Sequence, residues 1–120
     1  MKLSDAEWNV LLVLWNNDSL YLGEIVEQLH YTMKWSRNTV HTYLTRMEKK
    51  GLVKIDRDQE PHLYSSLISK DECTKMQRDD LLNRVYQGSV SDLIVAFLKE
   101  SHISNEEKEK LNKILDEMEV

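Results

Sequence analysis

Residues 36–51, SRNTVHTYLTRMEKKG, decide the fold that we predict for this chain. Ser36 can cap the start of a helix, and Gly51 is a natural residue at which that helix ends. Lys49 and Lys50 fall in the last turn, where positive charge complements the helix dipole. The apolar residues recur with helical spacing, so the stretch predicts one amphipathic helix whose buried stripe is Val40, Leu44 and Met47, with Tyr43 beside it.

The opposite face of this helix is polar. Asn38, His41, Thr42 and Thr45 recur with helical spacing, and residues 37–47 contain neither Asp nor Glu. A solvated helix face usually carries Glu as well as Lys, whereas a face that meets phosphates excludes carboxylates. Asparagine can pair with adenine, arginine with guanine, and threonine can offer its methyl group to thymine. We therefore predict that this helix contacts DNA through Ser36, Arg37, Asn38, Thr39, His41, Thr42, Thr45, Arg46 and Lys49.

The charge distribution agrees with such a contact although the net charge does not. The chain carries a net charge of −5, which by itself argues against a nucleic-acid partner. Residues 34–57, the basic stripe, hold seven Lys and Arg against two acids, whereas residues 69–120 hold eight against twelve. A local basic stripe on an acidic body is typical of a protein that touches an anionic polymer with one face. Charge alone leaves open that these residues only solvate a helix and a hairpin.

Two further helices are predicted before the deciding stretch. Ser4 and Glu7 form a capping box at the start of the first helix. Residues 19–21, between the two helices, are long enough only for a single-bridge strand. The apolar faces have helical spacing and consist of Trp8, Leu11, Leu12 and Trp15 in the first helix, and Leu22, Ile25, Val26 and Leu29 in the second.

A β-hairpin is predicted after the deciding stretch. Strand-like residues 52–55 and 63–67 flank a polar loop that holds the only proline. Lys54 and Arg57 could reach a phosphate or a minor groove, and we include both among the predicted DNA contacts. The loop is acidic, so a hairpin that only covers the core stays open as an alternative. The order helix, short strand, helix, helix, hairpin is that of a winged helix-turn-helix.

Three more helices follow, and we place a domain boundary between residues 1–68 and 69–120. Capping-box patterns begin at Ser69 and Ser104, and Gly88 separates the first of these helices from the second. The last two helices have wide apolar faces that a region of this size cannot bury alone. The fold class is therefore mainly α with a small β-hairpin, a winged helix-turn-helix followed by a three-helix dimerisation region. Its predicted two-fold contact consists of Val90, Leu93, Ile94, Phe97, Leu111, Ile114, Leu115 and Met118. The alternative is a monomer in which these faces fold back.

Composition argues against several other classes of protein. No apolar run is long enough to span a bilayer, and the first residues do not resemble a secretory signal. A single cysteine, Cys73, fits a reducing cytoplasm. We expect no metal and no cofactor, because the four histidines and Cys73 lack metal-ligand spacing. An enzyme is not expected, since three glycines cannot build a phosphate-binding loop and no nucleophile has a positioned base. A winged helix that binds only protein stays a distant alternative.

The sequence resembles the penicillinase repressors of the BlaI/MecI type and their copper-responsive CopY relatives. The resemblance is carried by 3–8 with Trp15, by Trp35-Ser36 leading into Thr39-Val40 and Thr42, by 44–47 with Lys49-Lys50-Gly51, by Tyr64-Ser65, and by 83–86 followed by Leu93 and Phe97. It implies a cytoplasmic repressor that binds a palindromic operator as a homodimer, with an N-terminal winged helix and a C-terminal dimerisation region.

In the β-lactam branch the resemblance also implies a membrane-bound sensor metalloprotease as a partner. Cleavage in that branch falls at an Asn-Phe bond, which aligns with Ala96 and Phe97. Ala96 replaces the family's asparagine, so repression of a different regulon, without proteolytic induction, stays open as an alternative. The copper branch carries paired cysteines near its C-terminus, and none follows Cys73 here.

Overall fold

In a computed structural model that describes residues 2–119, the chain folds into six helices and three short strands. The order confirms a mainly α protein with a winged helix-turn-helix followed by three helices. The elements are α1 (Asp5–Trp15), β1 (Leu20–Tyr21), α2 (Leu22–His30), α3 (Arg37–Lys49), β2 (Val53–Asp56), β3 (Leu63–Ser66), α4 (Lys70–Val85), α5 (Val90–Glu100) and α6 (Asn105–Glu117).

Two compact units divide inside α4, between Gln77 and Arg78. The boundary that we predict from the sequence lies at the start of α4 and separates a DNA-binding part from a dimerisation part. This division stays a prediction. Within residues 2–119, no helix is both long and apolar enough to pass through a bilayer.

The three strands form one antiparallel sheet in the order β1-β3-β2. β3 lies in the middle, and its Tyr64 is opposite Leu20 of β1 and Ile55 of β2. β1 makes two residue pairs rather than the single bridge expected from its length. The Tyr64 side chain is buried, and this burial raises the pKa of its hydroxyl above the usual value. The hairpin of β2 and β3 is therefore anchored in the core through the buried Tyr64 of its central strand.

The core of the first unit confirms the predicted stripes of α2 and α3. Ile25 and Leu29 are buried in α2, with Leu22 and Val26 packed against them. The stripe of α3 is fully buried and comprises Val40, Leu44 and Met47.

The predicted apolar face of α1 is only partly correct, because the buried stripe is rotated from it. α1 buries Glu7, Val10, Leu11 and Leu14, whereas Trp8, Leu12 and Trp15 are only half-buried. The two indole rings pack edge to face against the core, with ring centroids 5.3 Å apart. The Trp15 Nε1–H donates to the carbonyl of Ile68 at 2.8 Å, which keeps its polar atom satisfied. The buried stripe has the same helical spacing as the predicted one, so spacing alone could not choose between the two faces.

Gly51 ends α3 as predicted. Its φ of 78° is left-handed, a conformation that costs little for glycine. The Leu52 N–H donates to the Met47 carbonyl at 2.9 Å, and the Gly51 N–H donates to the Glu48 carbonyl at 3.0 Å. These two bonds form a Schellman motif, which closes the helix and sends the chain directly into β2.

Glu7 is the one buried charged residue of the part of the chain that the structure describes. Its carboxylate accepts a hydrogen bond from the Ser4 backbone N–H at 3.0 Å, which completes the predicted capping box. The same carboxylate accepts one from Lys50 Nζ at 2.7 Å. Burial raises the pKa of Glu7, but the bonds from Lys50 and Ser4 outweigh burial and lower the pKa below its ordinary value. This pair ties the start of α1 to the end of α3.

The C-terminal unit consists of the rest of α4 with α5 and α6. Neither α5 nor α6 buries a side chain. Ser89 and Ser104 cap these helices, accepting hydrogen bonds from the backbone N–H groups of Asp92 and Glu107. Ser69 does the same for α4 through the N–H of Glu72. The serine half of the capping boxes predicted at Ser69 and Ser104 is therefore present, whereas the cap at Ser89 was not predicted. These helices are defined by their caps and leave their apolar faces uncovered.

We predict that E7Q lowers the free energy of unfolding by about 1–2 kcal/mol at neutral pH, because it removes the charge bonded to Lys50. The pKa of Glu7 is lowered in the folded state, so this stabilisation is present above the unfolded-chain value of about 4.3. It is lost as the pH falls through the lower folded-state pKa. Urea unfolding at several pH values measures the difference between wild type and E7Q.

A matched control is E24Q, since Glu24 holds the equivalent position in α2 and bonds to the Tyr21 N–H, but is exposed. E24Q should change stability less than E7Q and should not reproduce the pH dependence. Equal losses in the two variants, at every pH, would contradict the role given to burial.

Candidate nucleic-acid interface

The start of α3 is fixed by a cap and an aromatic stack. Ser36 Oγ accepts a hydrogen bond from the Thr39 backbone N–H at 3.2 Å. Lys34 has a φ of 54°, which turns the chain sharply into the helix. Trp35 then stacks on Tyr43, with ring centroids 4.6 Å apart and planes 7° from parallel. The cap and the stack hold the first turn of α3, although only the cap was predicted.

The first turn of α3 can offer a hydroxyl donor to an anion. The hydroxyl oxygens of Ser36 and Thr39 are 3.0 Å apart, and either can be the donor. One hydrogen bond between two hydroxyls uses one of their two hydrogens, so the other hydrogen stays available in either case. The backbone N–H groups of a helix N-terminus add a positive partial charge. Both residues therefore remain candidates for a phosphate contact.

Two threonines in the middle of α3 use their hydroxyl hydrogens within the helix. Thr42 Oγ1 donates to the Asn38 carbonyl, and Thr45 Oγ1 donates to the His41 carbonyl, both at 2.9 Å. A phosphate oxygen accepts hydrogen bonds but does not donate them, so it has no hydrogen bond to make with the free lone pairs of these hydroxyls. What they offer another molecule is a methyl group and acceptor lone pairs, which match the base edges of DNA better than its phosphates.

Seven bases of the stripe 34–57 divide into two groups. Lys50 is bonded to Glu7, and Arg57 is bonded to Glu48. Within residues 2–119, the other five are exposed and show no carboxylate within 4.0 Å: Lys34, Arg37, Arg46, Lys49 and Lys54. Two of the seven positive charges of the basic stripe are therefore already compensated by carboxylates of the protein itself.

The Arg57 ion pair joins the hairpin to α3. Arg57 Nη1 donates to Glu48 Oε2 at 2.6 Å, and Nη2 donates to Oε1 at 2.8 Å. The hydrogen bond from Arg57 lowers the pKa of the Glu48 carboxyl, and the bond to Glu48 raises the pKa of Arg57. Arg57, predicted as a DNA contact, is thus held at the flank of α3, whereas Lys54 on β2 is exposed.

A groove of about 600 Å³ is lined by some of the predicted DNA contacts and not by others. Arg37 and His41 line it together with Glu24 and Glu27 of α2 and Glu60 of the hairpin loop. These carboxylates approach one flank of α3 from other elements, although residues 37–47 contain none. The outer row, defined by helical spacing as Asn38, Thr42, Thr45 and Lys49, does not line this groove. Asn38, Thr42 and Lys49 are exposed, and Thr45 is half-buried.

The predicted dimer contacts lie on α5 and α6 and are largely uncovered. Leu93 is half-buried, and Ala96 next to Phe97 is also half-buried. Large contiguous apolar patches on a surface mark contacts with another molecule, whereas single exposed apolar residues do not. The other predicted dimer contacts are 39% to 61% exposed: Val90, Ile94, Phe97, Leu111, Ile114, Leu115 and Met118.

Other candidate chemistry is not assembled in the part of the chain that the structure describes. Within residues 2–119, no three His, Cys, Asp or Glu side chains come together as a metal site. Cys73 is buried, and burial, together with Glu72, raises the pKa of its thiol. A thiol with a raised pKa is a poor nucleophile at neutral pH.

Three contacts at or beside α3 were missed by the sequence analysis. The pairs Glu7–Lys50 and Glu48–Arg57 join residues of different elements, so no local pattern marks them. A signal for the second exists, because Glu48 is the only acid of α3. The Trp35–Tyr43 stack joins a residue outside the helix to one inside it. Helical periodicity does not include such a pair.

Comparison with known proteins relates this arrangement to repressors. The model of the penicillinase repressor family matches residues 3–117. The penicillinase repressor of Bacillus licheniformis is 31% identical over 116 residues, which are 97% of this chain and 91% of that protein. The methicillin resistance regulatory protein MecI of Mammaliicoccus sciuri is 29% identical over 115 residues, 96% of this chain and 94% of that protein.

Two solved structures are similar to part of the chain. The DNA-binding domain of the repressor BlaI superposes with a TM-score of 0.52 and 32% identity, covering 59% of this chain and 87% of that domain. The monomeric form of Bacillus licheniformis BlaI, solved in complex with the blaP half-operator, gives a TM-score of 0.53 and 30% identity. It covers 60% of this chain and 88% of the solved one.

We predict that S36A lowers the free energy of unfolding by about 1 kcal/mol, because the Thr39 N–H loses its acceptor. S36D should keep most of the stability, since aspartate caps a helix as well as serine does. Urea unfolding of the three proteins measures both changes. A loss of stability in S36D equal to that in S36A would show that the side chain does not act as a cap.

Proposed function

The chain belongs to the penicillinase repressor family, and from this membership we propose that it is an operator-binding transcriptional repressor that acts as a homodimer. The observation that carries the proposal is the outer row of α3. Asn38, Thr42, Thr45 and Lys49 present an amide, two methyl groups and a positive charge on one helix face. A relative that shares 30% of its residues with this chain binds a half-operator. The family is one of repressors and not a class of enzymes.

α3 enters the major groove in this proposal, as the second helix of a helix-turn-helix does. Asn38, Thr42 and Thr45 meet base edges, because an amide pairs with adenine and threonine methyls contact thymine. Arg46 and His41 flank them on either side of the row. The phosphate contacts are Ser36, Arg37, Thr39, Lys49 and Lys54, which combine hydroxyl or basic groups with positions at the helix ends or on the hairpin.

Dimerisation belongs to residues 69–120, and residues 1–68 contact DNA. One α3 helix reads a single half-site, so two copies related by a two-fold axis read a palindrome. The uncovered apolar side chains of α5 and α6 supply the contact, since exposing them in a monomer is unfavourable. The proposed contact comprises Val90, Leu93, Ile94, Phe97, Leu111, Ile114, Leu115 and Met118.

The regulated response is proposed to be β-lactam resistance, with a cytoplasmic repressor whose partner is a membrane-bound sensor metalloprotease. Cleavage at Ala96–Phe97, within α5, would break the helix on which much of the dimer contact lies. Ala96 stands where asparagine is expected, and this observation favours a second proposal. The same repressor fold then controls another regulon and is released from DNA without proteolysis at this bond.

We predict that R46A weakens operator binding about 5- to 150-fold, or about 1–3 kcal/mol, if Arg46 contacts a base. N38A should weaken binding over a similar range. The operator is first obtained by selection from random duplexes, and gel-shift titrations then compare the variants. R78A removes the same charge at an exposed position on α4 and should bind as wild type does.

Wild-type affinity should also fall steeply between low and physiological salt, because phosphate contacts release counterions. Unchanged affinity in both R46A and N38A would show that the reading face is assigned to the wrong residues. Binding that does not depend on salt would contradict DNA as the partner.

We predict that L93E and I114E convert a dimer into a monomer, because each places a charge in an apolar contact. Sedimentation velocity at several concentrations measures the change. V95E is the control: Val95 is an exposed apolar residue of α5 outside the proposed contact. A dimer that persists in L93E and I114E, or dissociates equally in V95E, would contradict the assigned faces.

A further inference from the structure

We propose that Glu48 is a positioning residue for DNA binding: it holds Arg57 in an ion pair that prevents the hairpin from adding a phosphate contact. The inference rests on the proposed function, because it concerns how that DNA contact is limited. It assigns a role to the only acid of α3 and makes Arg57, predicted as a DNA contact, a compensated residue in the wild-type protein.

The geometry of the pair uses the groups with which arginine binds phosphate. Both terminal nitrogens of Arg57 donate, at 2.6 and 2.8 Å, and both carboxylate oxygens of Glu48 accept. Arginine recognises phosphate through the same parallel fork of two N–H donors. A phosphate would therefore compete with Glu48 for this edge of the guanidinium and would gain less than from a free arginine.

The pair also lies where DNA could reach it. The side chains are 54% exposed for Arg57 and 29% exposed for Glu48. Glu48 precedes Lys49 of the outer row, and Arg57 directly follows β2. Removing Glu48 would therefore leave an accessible arginine beside the reading helix instead of a buried one.

The other charges of the hairpin point in the same direction. Lys54 is the remaining base of residues 53–66, against Asp56, Asp58 and Glu60. Asp56 Oδ1 accepts a hydrogen bond from the Asp58 backbone N–H at 3.1 Å, which keeps that carboxylate at the start of the loop. With Arg57 paired, Lys54 is the one base of residues 53–66 that no carboxylate within 4.0 Å compensates. Sequence-independent attraction then comes mainly from α3.

The consequence is a limit on non-specific binding. A free arginine beside the duplex would strengthen binding to any sequence, because phosphate contacts carry no sequence information. A repressor competes with a large excess of non-specific sites, so an added phosphate contact draws it to all of them. Glu48 would restrict the attraction to the contacts that accompany base reading.

The test compares salt dependence in wild type, E48Q, R57Q and the double variant E48Q/R57Q. Affinities for a random-sequence duplex and for the selected operator are measured by fluorescence anisotropy from 50 to 200 mM salt. E48Q should steepen the slope of log affinity against log salt by about one, since it frees one phosphate contact. When the salt is lowered fourfold across this range, the affinity of E48Q for DNA should rise roughly three- to fourfold more than that of wild type.

The double variant separates the proposal from a purely structural tether. E48Q/R57Q has the same net charge as wild type and lacks both members of the pair. Its slope should equal that of wild type, because Arg57 makes no phosphate contact when Glu48 is present. R57Q alone should bind DNA more weakly, because it leaves the Glu48 carboxylate uncompensated beside the duplex.

D80N is the matched control for charge. Asp80 pairs with Arg84 at 3.2 Å on α4, so the variant also frees an arginine and adds one positive charge. Its slope should stay near that of wild type. E48A is measured beside E48Q because glutamine can keep a hydrogen bond to Arg57, and thermal unfolding verifies that each variant is folded.

Two results would overturn the proposal. Wild-type slopes in both E48Q and E48A would mean that the freed Arg57 does not reach a phosphate. A slope about one unit shallower in E48Q/R57Q than in wild type would mean that Arg57 contacts phosphate despite the pair. Both results leave operator binding intact. Wild-type protein that binds neither duplex would instead refute the proposed function, and this inference with it.

Discussion

The burial of one stripe on α3 is the constraint on which the rest of the structure depends. Val40, Leu44 and Met47 are fully enclosed by α1, α2 and the sheet, so the helix can take only one rotation about its axis. Packing to native density makes any other rotation costly, because it would expose these side chains and bury polar ones. That single rotation determines which residues face outward. The candidate interface is therefore a consequence of the core.

Two carboxylates then decide how much of the basic stripe is available to a partner. Glu7 and Glu48 each hold one base of residues 34–57, at opposite sides of the end of α3. The first pair has a buried carboxylate and joins α1 to the end of α3, whereas the second has a partly exposed carboxylate and joins the hairpin to α3. Both join a neighbouring element to α3, and both compensate a positive charge that stays at the surface. The same two ion pairs therefore hold the neighbouring elements against α3 and reduce the positive charge near its end.

The sequence predicted the local structure of α3 and less of its surroundings. Ser36 and Gly51 were predicted correctly because helix caps and stops depend on local hydrogen bonding. The buried stripe was predicted correctly because helical spacing determines which side chains share a face. The face of α1 was only partly correct, because the stripe that contains Glu7 has the same helical spacing and the sequence did not mark a buried carboxylate. The groove beside Arg37 and His41 could not be predicted either, since its three carboxylates come from α2 and the hairpin loop. Its residues are distant in sequence and meet only after folding.

The sequence by itself determined the order of the elements, the amphipathic character of α2, α3, α5 and α6, and the absence of acids between Arg37 and Met47. Each of these depends on residues within one or two helical turns, where backbone geometry fixes which side chains share a face. Only the tertiary structure decided which bases remain uncompensated and which flank of α3 meets carboxylates. Lys50 and its partner Glu7 are 43 residues apart, and such pairings are set by how whole elements pack. α3 is therefore specified locally, but the charge it can offer to DNA is specified by its neighbours.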